Sequence, residues 1–263
     1  PSMRAERPGF EPSGAQGRER RSALIDGWSV EKARRAGANA VKLLLFYRPE
    51  ASGATNDHQQ GLARQIGAEC ARREVPFLLE LLGYPLDEPS LDSPEYARRK
   101  PQIVIESARE FSRPEYGVDL LKLEFPADLK YCGEFSRSPF GGAEREPVTH
   151  LPAVREQCRA LDEASAVPWV ILSAGVGITE FLAELQLAAE AGASGFLCGR
   201  AIWQGALPWI GDEAAMERFL RQEGRVNFMQ ANAAAERCRP WFTHRKFAGG
   251  DLTVADASLD WYI

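Results

Sequence analysis

Short apolar runs alternate with longer amphipathic stretches along most of the chain. The apolar runs predict β-strands, and the stretches between and after them have the spacing of helices that bury one face. The predicted strands lie at 40–47, 77–82, 119–125, 168–173 and 195–198. The predicted helices lie at 57–73, 94–112, 151–165, 178–191, 212–222 and 226–237. This alternation is typical of βα units that build a parallel sheet covered on both faces.

Two parallel architectures fit the alternation, an open doubly wound sheet and a closed (β/α)8 barrel. No predicted strand is followed by a Gly-x-Gly-x-x-Gly loop, which weighs against a dinucleotide-binding sheet. The predicted strands contain charged residues on the face that a barrel turns inward. This favours a (β/α)8 (TIM) barrel of the α/β class. Five of the eight strands are recognisable, so we expect the barrel to be incomplete.

The two ends of the chain differ from its middle. Residues 1–16 are rich in Pro, Gly and Ser and predict an irregular N-terminal segment, after which a helical pattern covers 18–35. Residues 17–247 are expected to form the partial barrel domain, and 248–263 a C-terminal tail. The strand at 40–47 then has no predicted neighbour before it, so we expect an unpaired sheet edge there.

The composition argues against several classes of binding partner. The 263 residues are 44% hydrophobic and carry a net charge of -5 without a basic tract, which argues against nucleic acid. No apolar run approaches the ~18 residues that cross a bilayer, so no membrane partner is expected. Five scattered cysteines predict reduced thiols in a cytoplasmic protein, and three widely separated histidines predict no metal site. We expect no cofactor, and a homo-oligomer is compatible with the pattern.

Ionisable residues inside three of the apolar strands are the main chemical signal. Lys42, Glu80, Lys122 and Glu124 each interrupt an otherwise apolar run. Because strand side chains alternate, Lys122 and Glu124 are expected to share a face. Burying a charge in a strand costs several kcal/mol unless the charge forms an ion pair or takes part in catalysis or ligand binding. Two interpretations stay open, a reactive amine and a set of structural ion pairs such as Lys122–Glu80 or Lys122–Glu124.

A reactive amine would be a lysine that attacks a ketone and forms a Schiff base. Desolvation and a neighbouring cation both favour the neutral amine, and Lys42 could supply that cation for Lys122. Glu80 and Glu124 are candidates for the proton transfers. The leucines on both sides of Glu80 are expected to raise the pKa of its carboxyl group.

Two glycine-containing loops after the last predicted strands suggest an anion site. They lie at 172–177 and 197–201, and contain Gly175, Gly199 and Arg200. Small residues let backbone N–H groups approach a phosphate, and an arginine can bind it with two parallel hydrogen bonds. The alternative is that both loops are ordinary tight βα turns.

The chain resembles the class I tagatose-1,6-bisphosphate aldolases in five sequence motifs. They occur in this order, at 37–42, 76–80, 118–126, 172–176 and 197–201. The related sulfofructosephosphate aldolases share much of the pattern. The resemblance implies a (β/α)8 barrel of which this chain holds strands four to eight. It implies that Lys122 is the Schiff-base lysine, Glu80 the general acid/base and Lys42 a substrate-contacting lysine. It places Ser173, Gly199 and Arg200 at the phosphate of dihydroxyacetone phosphate.

The implied reaction is cleavage of a ketose phosphate, such as tagatose 1,6-bisphosphate, to dihydroxyacetone phosphate and an aldehyde. The alternative substrate is 6-deoxy-6-sulfofructose 1-phosphate. The chain departs from the family because no Asp-Gln-Arg-Gly stretch is found in it, and the family's cleavage-assisting aspartate lies there. A non-catalytic sugar-phosphate-binding fragment or paralogue is therefore the alternative function. A metal-dependent aldolase is disfavoured because no predicted strand carries a histidine.

Overall fold

The computed structural model describes residues 1–135, 140 and 145–248. Within these residues the strands are β1 (Ser2–Arg4), β2 (Glu11–Ser13), β3 (Glu19–Arg21), β4 (Ala40–Phe46), β5 (Phe77–Leu82), β6 (Leu120–Leu123), β7 (Trp169–Leu172) and β8 (Phe196–Leu197). The α-helices are α1 (Val30–Arg35), α2 (Gly53–Arg73), α3 (Pro94–Phe111), α4 (Leu151–Ala164), α5 (Ile178–Ala191), α6 (Arg200–Trp203), α7 (Glu213–Phe219) and α8 (Arg225–Ala235). None of the described helices is long and apolar enough to cross a membrane.

Six strands form one parallel sheet in the order β1-β4-β5-β6-β7-β8, and β2 pairs with β3 in a separate antiparallel hairpin. In the described residues β1 and β8 each have one neighbour in the sheet, which is therefore an open half-barrel. The five strands expected from the sequence are all present, and the incomplete α/β barrel is confirmed.

Alternation along β4 shows how the strands divide their side chains. Val41, Leu43 and Leu45 are buried in the main hydrophobic cluster, while Lys42 and Phe46 on the opposite face are half-buried. Burying the first set under α2 removes apolar surface from water and leaves the second set facing the interior of the half-barrel. This division puts a charged residue on the concave face of the sheet.

The N-terminal region differs from the sequence expectation. Residues 1–16 are not irregular, because they contain β1 and β2. The first three residues of β4 pair in parallel with β1, so the expected unpaired edge at 40–47 is wrong over Ala40–Lys42. The helix expected at 18–35 forms only as α1, and β3 occupies its start. A three-residue strand is too short to show a clear alternation of apolar and polar residues, so the sequence did not predict β1, β2 or β3. The proposed tail lies outside the described residues beyond Ala248, and the domain limits stay a prediction.

Two buried carboxyl groups on α5 bear on the pH dependence of folding. Glu180 and Glu184 are each 2% exposed, and Lys100 of α3 is the buried cation near both. Burial raises the pKa of Glu180 to about 7, although Lys130 and Lys100 offset part of the effect. Burial also raises the pKa of Glu184 well above its ordinary value. The folded protein therefore keeps these two carboxyl groups protonated at pH values at which the unfolded chain has already ionised them.

We expect Glu180→Gln to stabilise the protein at alkaline pH. A carboxyl group with a raised folded pKa stabilises the fold at low pH, and this contribution is lost as the pH rises from 4.5 toward 7. The variant should gain about 2 kcal/mol in free energy of unfolding at pH 8 and little at pH 5. Urea unfolding at both pH values measures this. Glu190→Gln, on the exposed side of α5, is the control, and an equal gain in both variants would contradict the assignment.

Candidate active site

Lys42, Glu80 and Lys122 lie together on the concave face of the sheet. The register places Glu80 directly opposite Lys122 on the neighbouring strand. Lys122 Nζ donates a hydrogen bond to Glu80 Oε1 at 2.8 Å, and Lys42 Nζ lies 3.1 Å from Glu80 Oε2. One carboxylate thus bridges two lysines, and all three side chains are 10–18% exposed. The three residues that the sequence singled out on separate strands form one cluster.

Glu6 is a fourth member of the cluster that the sequence analysis missed. It follows β1, its side chain is 3% exposed, and Glu6 Oε1 accepts a hydrogen bond from Lys42 Nζ at 2.7 Å. Its other oxygen accepts from the Leu44 N–H at 2.9 Å, and Arg4 Nε lies 3.2 Å from Oε1. The charges alternate in sign along Arg4, Glu6, Lys42, Glu80 and Lys122. Strand β1 is only three residues long, so no alternation along the sequence identified it, and its pairing with β4 is what reveals it.

The pKa of Glu80 shifts in the direction opposite to the expectation. Burial raises it, as the flanking leucines suggested, but the charges and hydrogen bonds of Lys122 and Lys42 outweigh burial. The net result is a pKa below the ordinary value, so the resting carboxylate is ionised. Glu80 therefore starts as a proton acceptor rather than as an acid.

Glu124 does not join the cluster. Strand β6 ends at Leu123, so the alternation of side chains does not extend to Glu124, and the expected shared face with Lys122 is wrong. The Glu124 carboxylate accepts a hydrogen bond from the Gly83 N–H at 2.6 Å. Burial raises its pKa, and Lys100 of helix α3 offsets part of that effect. These contacts place Glu124 between the end of β5 and α3, and no hydrogen bond or ion pair in the described residues joins it to Lys122.

The predicted anion-binding residues meet at the carboxyl ends of β7 and β8. Gly175 has φ +91°, and a Cβ there would lie 3.0 Å from Arg200 Nη1. The guanidinium of Arg200 therefore packs directly on the backbone of the first loop, and Gly199 immediately precedes it. Ser173 is 5% exposed at the end of β7. The structure thus brings the two loops together.

Cys198 connects this anion region to the lysine cluster. Burial raises the pKa of its thiol, while a hydrogen bond with Ser173 and the charge of Lys122 offset part of the rise. Cys198 follows β8 and Ser173 follows β7, which is paired with β8 on one side and with the Lys122 strand β6 on the other. The carboxyl ends of the parallel strands gather the anion region and the lysines into one site.

Removing the charge of Glu6 should weaken both the site and the fold. Glu6→Gln keeps the shape of the side chain but leaves Lys42 without one of its two carboxylates, at a cost of about 2–4 kcal/mol in free energy of unfolding. Urea unfolding at pH 7 measures this cost, with Glu11→Gln on exposed β2 as the control. A loss in Glu6→Gln no larger than in the control would show that the network contributes nothing to stability.

Comparison with known proteins identifies the family. The sequence model described as "DeoC/LacD family aldolase" matches residues 10–205. The chain is 36% identical over 242 residues to the tagatose 1,6-diphosphate aldolase of Lactococcus lactis subsp. lactis, covering 90% of this chain and 71% of that protein. The chain belongs to the DeoC/LacD aldolase family. The expected resemblance is confirmed.

Further DeoC/LacD comparisons describe how much of the family fold is present. Tagatose 1,6-diphosphate aldolase 1 of Enterococcus faecalis is 37% identical over 214 residues, which are 79% of this chain and 63% of that protein. The chain therefore spans about two thirds of the length of these relatives. A solved Schiff-base-forming fructose-1,6-bisphosphate aldolase aligns with a TM-score of 0.53 at 18% identity, over 88% of this chain and 70% of that one. That likeness supports the barrel fold.

Proposed function

We propose that this chain is a cytoplasmic class I aldolase that cleaves a ketose phosphate through a Schiff base on Lys122. The observation that carries the proposal is the Lys122–Glu80–Lys42 cluster, in which the candidate nucleophile is hydrogen-bonded to a carboxylate at 2.8 Å. The names of the curated relatives support tagatose 1,6-bisphosphate as the substrate. The five free cysteines fit a reducing compartment.

The first chemical step requires a neutral amine at Lys122. Lys122 Nζ donates a hydrogen bond to the ionised Glu80 carboxylate in the resting site, so the nucleophile must first lose a proton. Glu80 Oε1, which accepts the Lys122 hydrogen bond, is the acceptor that the geometry offers. The amine then adds to the C2 ketone. Glu80 returns the proton to the carbinolamine hydroxyl, which leaves as water, and an iminium remains.

The second step breaks the carbon–carbon bond. A base removes the proton from the C4 hydroxyl, the C3–C4 electron pair moves into the iminium, and C4 leaves as the aldehyde. The enamine that remains on Lys122 is protonated at C3, and water releases dihydroxyacetone phosphate. Glu80 is again ionised after the first step, so we assign it these proton transfers. Lys42, held between Glu80 and Glu6, keeps a positive charge beside the developing anions.

The phosphate on C1 is assigned to the loops after β7 and β8. Ser173, Gly175, Gly199 and Arg200 supply a hydroxyl, two glycine backbones and a guanidinium at the ends of adjacent strands. Strand β7 pairs with β6, which carries Lys122, and with β8, so both loops lie at the ends of strands beside the lysine. A phosphate one carbon from the imine fits this arrangement.

Replacing Arg200 with glutamine should weaken binding of phosphorylated ligands. Loss of a charged hydrogen-bond partner costs about 2 kcal/mol, or roughly a 30-fold increase in Kd for dihydroxyacetone phosphate. Dihydroxyacetone, which lacks the phosphate, should bind with unchanged affinity. Isothermal titration of both ligands measures this, with Arg218→Gln on α7 as the control. Equal losses for both ligands would show that Arg200 only supports the loop.

The alternative is a protein that binds sugar phosphates without cleaving them. A coupled assay of dihydroxyacetone phosphate release from tagatose 1,6-bisphosphate distinguishes the two functions. Release above the uncatalysed rate supports the aldolase. Thermal stabilisation by the sugar phosphate without any release would favour the binding protein. The same assay with 6-deoxy-6-sulfofructose 1-phosphate tests the alternative substrate.

A further inference from the structure

Arg20 of β3 lies against three aromatic rings. Its guanidinium carbon is 4.4 Å from the centre of the Phe10 ring, 5.2 Å from Tyr84 and 5.4 Å from Phe46. Phe10 and Phe46 also pack edge to face at 5.2 Å. Aromatic faces attract a guanidinium and restrict its orientation. The hairpin of β2 and β3 therefore presents a cation in a fixed position.

The Arg20 guanidinium lies on the side of the sheet that carries the lysine cluster. Phe46 ends β4 and has the same strand parity as Lys42, so both side chains belong to the concave face. Phe46 lies four positions after Lys42, which is about 13 Å along a strand. Tyr84 follows the end of β5, the strand that carries Glu80. Arg20 thus stands at the carboxyl ends of β4 and β5, above Lys42 and Glu80.

No carboxylate within the described residues forms an ion pair with Arg20. Its half-buried guanidinium is instead surrounded by the aromatic rings, and burial lowers its pKa while Tyr84 and Tyr96 offset part of that effect. By contrast, the neighbouring Arg18 pairs with Asp87 at the surface. Removing part of a cation from water is unfavourable, and cation–π contacts restore only part of the loss. An anionic ligand would supply the missing counter-charge.

We propose that Arg20 binds the anionic group at the end of the sugar remote from the carbon that Lys122 attacks. The inference rests on the proposed function and deepens it. Lys122 lies on β6, Arg20 stands over the ends of β4 and β5, and Arg200 follows β8. The two arginines therefore flank the candidate nucleophile on opposite sides. A six-carbon chain with an anion at each end would place one anion on each arginine and its ketone at the lysine.

The shared chemistry of the distal ligand is a tetrahedral oxyanion. A 6-phosphate and a 6-sulfonate both offer oxygens in the geometry that a planar guanidinium recognises with two parallel hydrogen bonds. The rings of Phe10 and Phe46 would hold the plane of Arg20 while it makes these bonds. Arg20 would then select substrates that carry an anion at C6 over those that carry a hydroxyl group.

Titration with reduced sugars tests the inference without Schiff-base chemistry. A hexitol has no ketone, so hexitol 1,6-bisphosphate and hexitol 1-phosphate report binding alone. The full chain, Arg20→Gln and the control Arg18→Gln are titrated calorimetrically with both compounds. We expect Arg20→Gln to raise the Kd of the bisphosphate at least tenfold and to leave the Kd of the monophosphate within twofold. Titration of a 6-deoxy-6-sulfo hexitol 1-phosphate shows whether Arg20→Gln reduces the affinity more for a 6-phosphate or for a 6-sulfonate.

Three results would overturn the inference. The unmodified chain could bind both hexitol phosphates equally, Arg20→Gln could weaken both to the same extent, or Arg20→Gln could change neither. Equal weakening of both would assign Arg20 a structural role. Borohydride trapping of the unmodified chain with dihydroxyacetone phosphate tests the proposed function separately, since that ligand has no distal anion. Failure of trapping and failure of the hexitol comparison are therefore distinguishable.

Discussion

Replacing Lys122 with arginine should reduce cleavage of the ketose phosphate to less than about one-thousandth. Arginine retains the positive charge opposite Glu80, so the ion pair and the fold should persist, but a guanidinium does not form an imine with a ketone. The rate of dihydroxyacetone phosphate release at saturating substrate measures the loss, and urea unfolding checks the fold. Lys32→Arg, on the exposed side of α1, should cleave like the unmodified chain.

The Lys122 prediction has a defined contrary result. If Lys122→Arg folds normally and retains turnover within tenfold of the unmodified chain, Lys122 is not the nucleophile. Lys42 is then the next lysine to test, because it also contacts Glu80.

Replacing Glu80 with glutamine should slow imine formation by about 10²–10⁴-fold, the usual contribution of a positioned general acid or base. Glutamine keeps the size of the side chain but neither accepts the proton from Lys122 nor returns it to the carbinolamine. The rate constant is measured in a single turnover, with dihydroxyacetone phosphate mixed with the enzyme and quenched by borohydride at intervals. Glu95→Gln, in the exposed first turn of α3, is the control.

Glu80→Gln also leaves two lysines without their shared carboxylate, which costs stability. Glu80→Asp separates the two effects, because it keeps the charge and withdraws the carboxylate by one methylene group. We expect Glu80→Asp to fold like the unmodified chain and still form the imine at least tenfold more slowly. Normal imine formation in both variants would remove Glu80 from the mechanism.

The strands of the half-barrel and three residues of its candidate site could be predicted because their signals are local. Lys42, Glu80 and Lys122 each interrupt an apolar strand, and strand parity placed each one on the concave face. Parity did not extend to Glu124, because the strand ends one residue earlier. Where a strand ends depends on its pairing with neighbours, which the apolar run does not show.

Glu6 and the direction of the Glu80 pKa shift could not be derived from local signals. Strand β1 is three residues long, and it is recognisable only through its pairing with β4. The pKa of Glu80 depends on the distances of 2.8 Å and 3.1 Å to two lysines on the neighbouring strands. Flanking leucines report burial but not these distances. The position of Arg20 likewise follows from the packing of the hairpin on Phe46 and Tyr84.

Borohydride trapping with identification of the modified residue tests the central claim most directly. The full chain is incubated with dihydroxyacetone phosphate, reduced, digested and examined by peptide mass spectrometry. We predict one reduced adduct on Lys122, absent in Lys122→Arg, and loss of activity in proportion to its formation. An adduct on another lysine, or none in a chain shown to be folded, would contradict a Schiff-base mechanism at Lys122.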